Sequence, residues 1–138
     1  MHQLVTAFSE LVAHASGCHV LVGPPVETSA PEDTVVVWPW RMEEETTLNS
    51  LEPTRGQYKI PEIPPLKVQC MVLSKSLLTL ESIRQAIHGT PVIVAPGMHV
   101  HVLPSVLTNE TLLSLFLAAK VSPALCLTYF LRKAPLPS

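Results

Sequence analysis

Charge is what this 138-residue chain has least of: 14% of its residues are Asp, Glu, Lys or Arg, where an ordinary soluble domain carries about a quarter. Aspartate is nearly missing, with Asp33 standing alone. A Ser-His-Asp arrangement would have to recruit it from a proline-rich loop, and no serine lies in a GxSxG elbow. The five glycines form neither GxGxxG nor GxxxxGKS/T, which removes the phosphate-cradling loops. Three cysteines, Cys18, Cys70 and Cys126, sit in separate apolar runs without CxxC spacing. Reduced, buried thiols in a reducing compartment are expected from them. No apolar run reaches the ~18 residues of a membrane span, because Pro, Thr, Ser, Lys or His interrupts each one. Met1-His2-Gln3 lacks the basic start of a secretory signal. A net charge of -2 supplies no general attraction to phosphate, so neither a membrane nor a specific nucleic-acid sequence is an expected partner.

What the chain does have is apolar surface. Hydrophobic residues make up 47% of it and the mean hydropathy is +0.33. One domain of this length buries roughly two thirds of its extended-chain surface without staples. The remaining apolar excess points to contacts with other chains.

Leu4, Val5, Phe8, Leu11, Val12 and Ala15 recur at helical spacing, which predicts an amphipathic helix over 2–16 stopped by Gly17. Cys18 to Val22 reads as a short strand, 23–33 as a loop rich in Pro, Ser and Thr, and Thr34 to Met42 as a second strand. Pro39 inside it argues for a sheet edge or a bulge, since proline cannot donate to a ladder. Residues 43–63 have no sustained period and read as a long loop. Leu66 to Leu73 alternates like a strand with one firmly apolar face. The next helix, Leu80 to His88, is expected to have Thr79 as N-cap, Glu81 in its first turn and Leu80, Ile83 and Ile87 as core stripe, with Gly89 as cap. Val92 to Ala95 and Met98 to Leu103 flank Pro96-Gly97 as a hairpin. A third helix runs from Thr108 to Ala119, burying Leu112, Leu115, Phe116 and Ala119, and a strand from Ala124 to Arg132 follows. The expectation is a single α+β domain over 1–133, about three helices packed on a mainly antiparallel sheet, with a short proline-containing tail at 134–138.

His99 and His101 are two apart on an expected strand, so they share a face and offer the best hint of a metal site. No Asp, Glu or Cys lies nearby in sequence to complete the site, and a polar strand face opposite Val100 and Val102 is the preferred account of the pattern. Cys18 and His19, adjacent on a strand, point to opposite faces and make no nucleophile-base pair. Glu43-Glu44-Glu45 reads as a solvated or partner-contacting loop. Lys67, Lys75, Arg132 and Lys133 are dispersed along the chain, without an evident basic stripe. Trp38, Trp40 and Tyr58 are residue types that anchor interfaces, with burial of at least one Trp in the core an equal expectation. With Arg55, Arg132, Lys133 and the three glutamates they form the set of candidate partner contacts.

Taken in order, these segments resemble the N-terminal domain of the Pvc16 family, the cap proteins of extracellular contractile injection systems related to phage tail terminators. The resemblance is carried by Val35 to Arg41 before a polar segment with Asn49, by Pro64-Pro65-Leu66 opening a strand, and by Leu80 to His88 leading into Gly89-Thr90-Pro91-Val92-Ile93. Thr108 to Val121 and the closing stretch with Ser122, Tyr129 and Arg132 complete it. Val37-Trp38-Pro39-Trp40-Arg41 stands where the family tends to have Leu-Tyr-Arg, and Phe116 where it has a Trp. The resemblance implies a non-enzymatic tail terminator without cofactor. Its partners would be itself, as a homo-hexameric ring, the tail tube and sheath proteins and, in a phage, a neck or connector protein. It would reside in a virion tail or injection particle, after synthesis in the host cytoplasm. The residues alone leave two rivals: a small metal-dependent hydrolase built on His99 and His101, and a monomeric adaptor binding peptides on a sheet edge.

Overall fold

The computed structural model describes residues 2–26, 34–44, 66–95 and 97–134. In chain order these form α1 (His2–Ser16), β1 (His19–Val22), β2 (Thr34–Glu44), β3 (Leu66–Ser74), α2 (Leu77–Gly89), β4 (Val92–Ala95), β5 (Met98–Pro104), α3 (Asn109–Ala119) and β6 (Cys126–Ala134). The strands make one six-stranded sheet in the order β1-β2-β3-β6-β5-β4. Only β1 and β2 pair in parallel; the other four junctions are antiparallel. The expected α+β domain with a mainly antiparallel sheet is therefore what forms.

Helices α1 and α2 cover one face of the sheet. Leu4, Phe8 and Val12 of α1 and Leu80, Ile83 and Ile87 of α2 pack there against Val35, Val37, Val68, Cys70, Val100 and Leu131. Helix α1 touches β1 and β2 at one end of the sheet and β4, β5 and β6 at the other. A flat six-stranded sheet measures about 24 Å across at ~4.8 Å per strand, more than twice the ~10 Å diameter of a helix. The sheet therefore curls into a half-barrel around α1. Helix α3 lies on the opposite face, where Phe116, Met71 and Leu73 form a second, smaller core with Val36, Trp38, Trp40, Leu112, Leu115 and Cys126.

Several local expectations need correction. Helix α2 starts earlier than its apolar period suggests: Ser76 is the N-cap, accepting from the Thr79 N–H at 3.3 Å. Glu81 consequently lies beyond the first turn and pairs with Arg84 at 2.7 Å. Gly89 is the last helical residue and Thr90 the C-cap. On α3, Thr108 is the N-cap as expected, but only Phe116 is fully buried; Leu112, Leu115 and Ala119 are half-buried. Strand β1 begins at His19, and β6 begins at Cys126 and extends through Ala134, one residue into the stretch read as a tail. Strand β3 is buried on both faces from Val68 to Ser74 because it is interior to the sheet and sandwiched between α2 and α3. Of the cysteines, all free, only Cys70 is fully buried.

Candidate interaction surfaces

Pro39 sits where β2 has just lost its β1 neighbour, the β1 pairing ending at Val37. Its missing N–H costs the sheet nothing on that side. One residue later the register against β3 shifts: Pro39 is opposite Cys70 and Arg41 opposite Gln69, with Trp40 as the extra residue of a bulge. A one-residue slip exchanges the faces of everything that follows. Arg41 and Glu43 are thereby turned to the α3 side. There Glu43 accepts from the Gln69 side-chain amide and lies 3.4 Å from Arg41 Nε.

That turn completes a cross-strand row. Glu43 is opposite Lys67, Lys67 opposite Arg132, Arg132 opposite His101, and His101 opposite Val92. His99 lies on the same face, two residues from His101. Lys67 and Arg132, 65 positions apart in sequence, are thus direct neighbours, so two of the four cations read as dispersed come together, while Lys75 lies past the end of β3 and Lys133 is opposite Val100. The Lys67 ammonium sits 4.1 Å from the centre of the Phe130 ring, a cation–π contact that fixes it against the sheet. For a metal this setting is poor: Arg132 is the cross-strand neighbour of His101, His99 lies between Val94 and Ala134, and no group of three or more His, Cys, Asp or Glu converges among the described residues.

The other expected contact residues separate. Trp38 and Trp40 are half-buried and pack against the core beneath α3. The buried Trp40 Nε1 and Gln69 Oε1 find no hydrogen-bond partner among the described residues. Glu44 is exposed beside Leu66, and Lys133 is exposed opposite Val100. Glu45, Arg55 and Tyr58 lie outside the described residues, as do residues 27–33, 45–65 and 135–138 of the expected contact segments.

On the α1–α2 side a groove of about 570 Å³ opens between the end of α2 and the strands β5 and β6. Ile87, Pro91, Val102 and Leu127 give it apolar walls, and Arg84, His88 and Tyr129 line it as well. Tyr129 stacks obliquely on Phe8, ring centres 5.9 Å apart, and burial pushes its hydroxyl above the usual phenol range. The Arg84 guanidinium holds the Glu81 carboxyl below its ordinary range through their hydrogen bond. These are positional bonds, and sequence spacing signalled neither the groove nor the row: both depend on strands distant in the chain.

Large apolar side chains are exposed at both sheet edges, at Leu21, Val22, Val92 and Val94, and on the outer side of α3 at Leu113 and Leu117. The apolar excess of the composition is accordingly displayed on the surface.

Among the solved structures that share this fold are two of described role. One is the sheath/tube terminator of an extracellular contractile injection system, PVC, in its extended state: TM-score 0.70, 12% identity, covering 100% of this chain and 57% of that one. The other is the tube terminating cap of the anti-feeding prophage, AFP: TM-score 0.63, 13% identity, covering 99% of this chain and 56% of that one. The chain spans little more than half the length of either. No protein-family model matches the sequence, and no curated protein matches it. At such identities the likeness establishes the fold.

Proposed function

We propose that this chain is a terminator subunit: a non-enzymatic structural protein that assembles with copies of itself into a ring, six in number, and ends the growth of tube and sheath in a contractile phage tail or injection particle. The observation that carries the reading is the similarity of the whole chain, at TM-scores of 0.70 and 0.63, to two proteins described as a sheath/tube terminator and a tube terminating cap. The apolar edges support it, because a ring subunit needs surfaces that meet its own copies. Its partners would be the tube and sheath proteins and, in a phage, a neck or connector protein. It would act in the assembled particle, after synthesis in the host cytoplasm.

The test combines light scattering and negative-stain microscopy with a polymerisation assay. Rings of six are expected, and their addition to tube and sheath protein should shorten the resulting tubes. A chain that remains monomeric at all concentrations, or tubes whose length ignores it, would sink the proposal.

A further inference from the structure

Strands β1 and β4 are the two edges of the sheet, yet both are composed like interior strands. They read His19-Val20-Leu21-Val22 and Val92-Ile93-Val94-Ala95, four residues each. Neither carries the Lys, Pro or acidic residue with which exposed edges usually block pairing to another chain. Leu21 and Val94 are 45% and 76% exposed.

The outward-facing backbone groups of each edge follow from the bonds made inward. The Val102 N–H donates to the Pro91 carbonyl, so 91/102 is a hydrogen-bonded pair, and under the β4–β5 register so are Ile93/Val100 and Ala95/Met98. Val92 and Val94 then direct their N–H and C=O away from the sheet. At the other edge the Gly23 N–H donates to the Val37 carbonyl. With His19 opposite Thr34 and Val22 opposite Val37, His19 and Leu21 bond toward β2, and Val20 and Val22 point outward.

These two edges match. In a parallel pair, a residue that bonds across must face one that does not. Val94 beside Leu21 of a second copy meets this condition: the Val94 N–H reaches the Val20 carbonyl and the Val94 carbonyl receives the Val22 N–H. The side chains agree in face. Ile93 and Val20 both pack toward the α1 core, so Val94 and Leu21 both lie on the α3 side. The directions agree too, because one parallel junction and four antiparallel ones leave β1 and β4 running the same way.

We propose that β1 of one copy adds in parallel to β4 of the next, Val94 opposite Leu21, and that this heterologous contact repeated by a single rotation joins the ring. It rests on the terminator reading for closure into a ring.

The test is the full chain carrying Leu21→Cys and Val94→Cys. Opposed residues of adjacent strands are about 5 Å apart, within disulfide range. Mild oxidation is expected to give a ladder of covalent multimers on a non-reducing gel. Either single variant, or Val94→Cys with Val106→Cys, should not. Val94→Pro removes one outward N–H and no β4–β5 bond, and is expected to shift the assembly to monomers with an unchanged far-UV spectrum. Multimers that survive Val94→Pro, together with an uncrosslinked cysteine pair, overturn this pairing and leave the ring standing. A monomeric wild-type chain overturns both.

Discussion

Cys70 has no exposed surface, and burial pushes its thiol from 9.0 up to about 12. Because the folded value is the higher one, the unfolded chain ionises first as pH rises, and the stability present below pH 9 is lost progressively toward pH 12. The expected loss is about 3 kcal/mol by pH 11, measured by urea unfolding between pH 8 and 11. Cys126 and Tyr129, both raised chiefly by burial, add to it in the same sense, and Cys70→Ala should flatten the slope. At this scale the sequence revealed those residues whose roles depend on near neighbours. Leu80, Ile83 and Ile87 form the core stripe of α2 because three and four residues make a turn. The Lys67–Arg132 adjacency and the buried Gln69 were not legible, since what surrounds each is set by strand pairing with distant chain.

Among the elements, the helices and the β4–β5 hairpin were readable from period and punctuation, whereas the cap of α2 was not. Leu77 and Leu78 are exposed and break the apolar period, so the first turn disguises itself as loop. The end of α3 departs from the usual helix stop. Lys120 occupies the left-handed region at φ 59°, a position most helices give to glycine. Gly17 fills the corresponding place after α1, at φ +66°. Lys120→Gly is therefore expected to stabilise the protein by about 1 kcal/mol, seen as a higher midpoint in thermal unfolding. In β2, Pro39 announced either an edge or a bulge. The structure has the bulge, at a point where β1 has already ended.

For the molecule as a whole, strand composition suggested the class of fold but could not order the sheet: β6 lies between β3 and β5, and no local pattern encodes such an insertion. Helix α1 binds the parts together through Phe8, which is fully buried and stacked on Tyr129. Phe8→Ala is expected to cost about 3–5 kcal/mol. Since α1 touches both ends of the sheet, fluorescence and circular dichroism should still report one shared transition in denaturant. The placement of β6 also governs the order of events during synthesis. During synthesis α1 must wait for β6 before the Tyr129 neighbour of its Phe8 exists. Until then β1-β2-β3 and β4-β5 are two half-sheets without the strand that links them. Contacts spanning so much of the chain make for slow folding, and a nascent protein halted before Cys126 would hold two half-sheets joined through α1 alone and not through a strand.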